Sequence, residues 1–229
     1  MDTKEKECLP VEKTELSRRG FLRLAVASGV IASVGPALLQ GCSSQRDTTE
    51  APSARYALVI DTTKCTGCRA CIVACNLRNK LPEGQSYTDV LDETTGQATW
   101  FKPVQCQHCA NPPCAAVCPT HATYTHESGV VLVNEKLCVG CKYCMTACPY
   151  HARIFDETRG IAEKCWLCLD WVLKGDLPAC VEACIPGARI FGLTDDPDSE
   201  VSKLIASGRS KPLHPEFNTH PAVLSYFIA

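Results

Sequence analysis

The sequence predicts an α+β chain made of two compact units, one inserted in the other, with long connecting segments. Three observations carry that prediction. Sixteen of the 18 cysteines fall into four short groups. Strand-like segments precede the first group and follow the other three. A hairpin-like stretch, Tyr124 to Val133 with its turn near Ser128-Gly129, separates the second group from the third.

The first group is Cys65-x2-Cys68-x2-Cys71-x3-Cys75 and the third is Cys138-x2-Cys141-x2-Cys144-x3-Cys148. Both have the spacing of bacterial ferredoxins, with Asn76 where Pro commonly follows the last cysteine and Pro149 in its usual place. The second, Cys106-x2-Cys109-x4-Cys114-x3-Cys118, is widened around Pro112-Pro113. The fourth is Cys165-x2-Cys168-x11-Cys180-x3-Cys184. Thiolates are soft donors suited to iron–sulfur cores, and short C-x-x-C steps wrap the backbone around a cluster with its N–H groups toward the sulfurs. A disulfide framework does not need such runs, and their neighbours cannot all reach bridge geometry. Four-thiolate zinc joins two separate knuckles instead. Four [4Fe–4S] clusters are therefore expected. Aromatic content of 7% leaves a modest organic core, so cluster binding must contribute to folding.

In two-cluster ferredoxins the last cysteine of each motif crosses to the partner cluster. Residues 106–155 hold the second and third groups and form one such unit. The first and fourth groups are then left for the other, over 55–105 and 156–195. The crossed sets are Cys65, Cys68, Cys71 and Cys184; Cys106, Cys109, Cys114 and Cys148; Cys138, Cys141, Cys144 and Cys118; and Cys165, Cys168, Cys180 and Cys75. Ala122-Thr123-Tyr124, Ala152-Arg153-Ile154-Phe155 and Ala188-Arg189-Ile190-Phe191 each read as a strand leaving a cluster loop. Residues 76–105 and 192–229 exceed what cluster binding needs. The apolar end Val223 to Ile228 makes 196–229 a docking tail or a wrapping segment.

Residues 1–41 read as an export leader: Ser17-Arg18-Arg19-Gly20-Phe21-Leu22 precedes an apolar run, Leu24 to Leu39, shorter than the roughly 20 residues of a membrane helix. It resembles a twin-arginine signal, which carries folded proteins to the periplasm; an uncleaved anchor is the alternative. Leu39-Gln40-Gly41-Cys42 resembles a lipoprotein site with Cys42 as the lipidated residue, although Gln40 departs from the pattern. Residues 42–54 read as a linker.

The remaining polar candidates have plain readings. His108, His121, His126 and His151 are expected to make hydrogen bonds near the clusters or at the surface, because four thiolates already serve each cluster. Trp166 and Trp171 are expected to pack, and Lys102, Lys136, Lys142 and Lys164 to be solvated rather than to tune potentials. The formal charge is -2 with neutral cysteines. Ionised ligands and four oxidised cores bring it to about -10, which excludes nucleic acid as a partner. No catalytic residue is read from the sequence.

The segments Tyr56-Ala57-Leu58-Val59-Ile60-Asp61, Cys109-x-Asn111-Pro112-Pro113-Cys114, Val139-Gly140-Cys141-x-Tyr143-Cys144, Cys148-Pro149-Tyr150 and Pro178-Ala179-Cys180-Val181-Glu182-Ala183-Cys184 resemble a known family. It is that of the four-cluster electron-transfer subunits of molybdopterin oxidoreductases, in particular the branch serving tetrathionate reductases. The resemblance implies a non-catalytic relay between a molybdenum or tungsten pterin subunit and a polytopic membrane subunit that oxidises quinol. Some relatives have Trp for one cysteine of the fourth motif and a [3Fe–4S] cluster; all four cysteines are present here. A free periplasmic carrier and an iron–sulfur enzyme are the competing functions.

Overall fold

A computed structural model describes residues 56–95 and 98–226. The signal region, Cys42 and the linker lie outside the described residues. The central strand is β1 (Tyr56–Asp61), an unbroken apolar run whose residues Leu58 and Val59 are fully buried. Such a run suits a strand covered on both faces. Ala57 and Val59 pack against Val201, while Leu58 and Ile60 pack against Val223, with Val181 and Phe191 beside them.

Two partners flank β1. Strand β8 (Arg189–Leu193) runs antiparallel to it, and β10 (Val223–Tyr226) runs parallel on the other side, with β9 (Lys211–Pro212) outermost. A parallel neighbour needs a long crossover, and a helix over Glu200–Ala206, named α6 below, lies on that connection. Ser199 caps it, its hydroxyl accepting from the Ser202 N–H at 3.0 Å.

The other strands form three hairpins: β2 (Thr88–Thr95) with β3 (Ala98–Gln105), β4 (Thr123–Thr125) with β5 (Val131–Val133), and β6 (Arg153–Asp156) with β7 (Ile161–Lys164). The three segments expected to leave cluster loops begin β4, β6 and β8. Helices are short. The longest among the described residues, α1 (Ala70–Asn79), places Cys71 and Cys75 four residues apart on one buried face. Single turns α2 (Pro113–Ala116), α3 (Tyr143–Thr146) and α5 (Ala179–Glu182) carry Cys114, Cys144 and Cys180, and α4 (Leu169–Val172) follows Cys168.

The long segments do more than the spacing suggests. The β2–β3 hairpin reaches the cysteine loops: a Cβ on Gly67 would come within 2.5 Å of the Phe101 ring. In the tail, α6 and β10 complete the sheet, and Ala110 and Asn111 donate backbone hydrogen bonds to His220 and Thr219 at 2.9 and 3.1 Å. β6 and β7 pair across the boundary expected at residue 155, so that boundary falls inside a hairpin.

Gly140 provides a test of how closely these loops pack. Its φ is +66°, and a Cβ there would overlap the Gly160 carbonyl oxygen, whereas Gly84 at φ +80° has open space around it. Gly84→Ala is expected to cost only the left-handed strain of about 1–2 kcal/mol. Gly140→Ala should lower the anaerobic thermal midpoint clearly further and reduce bound iron; equal effects of the two variants would show that the contact is unimportant.

Candidate iron–sulfur centres

Each crossed set of four cysteines lines one cavity. Cys65, Cys68, Cys71 and Cys184 surround the first, with Val90, Pro103 and Arg189. Cys75, Cys165, Cys168 and Cys180 surround the second, with Tyr87, Gln105 and Trp166. Cys106, Cys109, Cys114 and Cys148 surround the third, with Tyr150 and Arg153. Cys118, Cys138, Cys141 and Cys144 surround the fourth, with Thr120 and Thr123. The four cavities are close in size. Among the described residues no three His, Cys, Asp or Glu side chains form a group that could hold a single metal ion. Thiols spread around a cavity suit a polynuclear core better than a mononuclear one.

The backbone repeats itself around these cavities. The residue before the second cysteine of every group has positive φ: Gly67 at 71°, His108 at 43°, Gly140 at 66° and Leu167 at 61°. Arg69, Lys142 and Cys168 follow in the left-handed region as well. Successive N–H groups in such turns form a concavity that favours negative charge. The third residue after the last cysteine is left-handed in three groups, at His121, His151 and Gly187. There the chain turns back, each N–H donating to the carbonyl of that cysteine at 3.2, 3.2 and 3.0 Å.

Electrostatics set the thiols apart from ordinary cysteines. Burial pushes the Cys75 and Cys109 thiols up to about 12 and Cys165 well above the usual range; Cys65, Cys114, Cys144, Cys168 and Cys180 are also raised by burial. Cys118 is the exception. Its slight burial is outweighed by backbone N–H groups at Thr123, Thr120 and Ala122 and by the Thr120 hydroxyl, so it falls below the ordinary value. Raised thiols become ligands only when a cation replaces their protons.

Among the described residues, the buried ionisable side chains other than cysteine and tyrosine are His108, Arg153, Lys164 and Arg189, with no carboxylate among them. Arg189 donates from Nη1 to Gln105 Oε1 at 2.8 Å and to Cys180 Sγ at 3.6 Å, and from Nη2 to Thr88 Oγ1 at 2.9 Å. The three guanidinium nitrogens of Arg153 make no hydrogen bond to oxygen or nitrogen among the described residues, and the Cys114 thiol is the polar group they face. Lys164 corrects the expectation of a solvated lysine: its ammonium is buried and donates to the carbonyls of Val131 and Cys165. Lys102 and Lys142 pair with Glu93 and Glu157, and Lys136 is exposed. Buried cations without carboxylates require negative charge nearby, which cluster cores bound by four thiolates supply.

The other sequence candidates take structural roles. His108 is buried, and its Nδ1 accepts from Val131 N–H at 3.3 Å. His121 and His151 are exposed, and His126 Nδ1 accepts from Ser128 N–H at 3.1 Å within the β4–β5 turn. Trp166 and Trp171 hold the Arg78 guanidinium, 5.2 and 4.3 Å from their ring centroids. Sequence reasoning misses Arg153, Arg189, Gln105, Thr88 and Thr219; the repeated Ala-Arg-Ile-Phe is the one signal that points to the two arginines. Thr219 reaches the third cavity from the tail, its hydroxyl paired with Tyr150 Oη at 2.6 Å.

Comparison with known proteins agrees with these features. A family described as the 4Fe-4S dicluster domain matches residues 97–194. A tetrathionate reductase subunit of Salmonella typhimurium is 43% identical over 180 residues, covering 75% of this chain and 72% of the relative. Thiosulfate reductase electron transfer subunit PhsB of Salmonella typhi is 42% identical, covering 66% of this chain and 81% of the relative. Protein NrfC of Escherichia coli K12 is 42% identical, with 86% and 88% covered. The α+β fold, the cysteine-lined cavities and these relatives agree: the chain belongs to the family of 4Fe-4S dicluster iron–sulfur subunits that serve electron transfer in reductase complexes.

Proposed function

We propose that the chain holds four [4Fe–4S] clusters in two nested ferredoxin-like units, 106–155 within 55–105 and 156–195. It would relay single electrons between a membrane subunit that oxidises quinol and a periplasmic molybdopterin reductase. The observation that carries this reading is the four near-equal cavities, each lined by four cysteines. The ligand sets are those lining the cavities. The chain itself is the electron-transfer subunit, not the catalytic one.

The cavities form a series. Helix α1 carries Cys71 of the first and Cys75 of the second. Cys165 of the second feels the charge of Cys106 in the third. Cys114 of the third packs in one cluster with Cys144 of the fourth. Apolar side chains are exposed at both ends: Ile185 beside Cys184 of the first cavity at 86%, Val139 and Tyr143 beside the fourth at 65 and 62%. A relay needs two such contacts, one for donor and one for acceptor. The tail would assist docking only through what it leaves exposed, because Val201 and Val223 are committed to the sheet.

The leader supports export of the folded protein to the periplasmic side, with Cys42 as the candidate lipid attachment. Among the described residues no helix is long and apolar enough to cross a membrane. Attachment to the membrane would run through the partner, through lipid, or through an uncleaved leader.

Anaerobic purification with associated subunits should give about sixteen iron atoms per chain and co-purification of a molybdopterin protein. About eight iron atoms, or a stable monomer with no partner, would contradict the relay. The crossed ligation has its own test. Cys184→Ser and Cys68→Ser should abolish the same redox transition, while Cys75→Ser and Cys168→Ser should abolish a different shared one. Pairing of Cys75 with Cys68 instead would reverse the assignment.

A further inference from the structure

Arg153 and Arg189 occupy equivalent places. Each stands five residues after the cysteine that crosses between motifs, Cys148 and Cys184, and each opens the strand leaving that loop, β6 and β8. Arg153 lines the cavity of Cys106, Cys109, Cys114 and Cys148 and lies within electrostatic reach of Cys144 in the next cavity. Arg189 lines the cavity of Cys65, Cys68, Cys71 and Cys184 and donates to Cys180 of its neighbour. Both are at least nine-tenths buried, at 6 and 3% exposure, and among the described residues neither forms a salt bridge with a carboxylate.

A guanidinium offers five N–H donors in one plane and does not lose its charge in proteins. Set between two cavities, it can donate to sulfurs on both sides while adding one positive charge to each environment. Arg189 also has Thr88 and Gln105 to orient it, whereas the nitrogens of Arg153 have only the cluster environments to turn to. Reducing a cluster adds one negative charge to its core. A fixed cation beside it stabilises that reduced state and raises its reduction potential. Lys142 is half exposed and paired with Glu157, and the largely buried Lys102 is neutralised by Glu93, so neither offers a free buried charge.

We propose that Arg153 and Arg189 are paired tuning residues, each raising the potentials of the two clusters of one unit. This rests on the four-cluster reading. It gives each guanidinium a redox role in addition to its part in packing.

The test uses the full chain in its native complex, with iron counted and the clusters followed by EPR during redox titration. Arg153→Met is expected to lower two of the four midpoint potentials, and Arg189→Met the other two, with wild-type iron content. Lys at either position should restore most of each shift, whereas Gln, which keeps donors without charge, should not. Unchanged potentials at full iron content would overturn the proposal, as would both variants shifting the same pair or Gln behaving as wild type. Loss of clusters in Lys and Met variants alike would also overturn it, leaving a purely structural role. A wild-type complex with fewer than four reducible clusters would instead fail the underlying reading, before any variant is compared.

Discussion

Burial pushes the thiols of Cys75 and Cys109 up to about 12, and the rest of the chain is arranged around that cost. Sixteen thiolates in a protein with a small apolar core are not stable by themselves. On the four-cluster reading, iron would replace their protons, and the folded state would then accommodate the negative charge of the ligated cores. The left-handed turns at Gly67, His108, Gly140 and Leu167 present backbone N–H groups. Arg153, Lys164 and Arg189 present full positive charges, and among the described residues no carboxylate is buried with them. Without a core in place, these groups would be left as uncompensated charge. Folding and cofactor loading are therefore one process.

The hairpin β2–β3 and the C-terminal segment serve the same balance from outside. Val90 and Pro103 close one cavity and Gln105 another, while Thr88 and Gln105 hold Arg189. Tyr150 closes a third and is itself held by the Thr219 hydroxyl. Solvent exclusion matters because the field of a buried cation acts over distance only where water does not screen it. Segments that look dispensable beside the ferredoxin pattern are thus the walls that make its electrostatics effective.

What was legible in the sequence is what is local. The spacing of each cysteine group, β1, the β4–β5 hairpin and the strands after Cys118, Cys148 and Cys184 follow from neighbours within a few residues. The walls are not local. Nothing around Thr88 or Gln105 marks them as partners of an arginine more than eighty residues away. His108 resembles a ligand by type and proves to be a buried turn residue, because its position in the loop matters more than its imidazole. Lys164 resembles a surface lysine until β7 carries it beneath β5, where main-chain carbonyls receive it.

The parallel pairing of β10 with β1 joins the two extremes of the described chain, Val223 lying opposite Leu58. A growing chain can make the β4–β5 hairpin soon after Val133 has been added, but its central sheet lacks a strand until Tyr226 has left the ribosome. That sheet is therefore the last part to be finished. A chain cut short before β10 would leave β1 as an open sheet edge, with the backbone groups that Val223 to Tyr226 should pair exposed to water or to another chain.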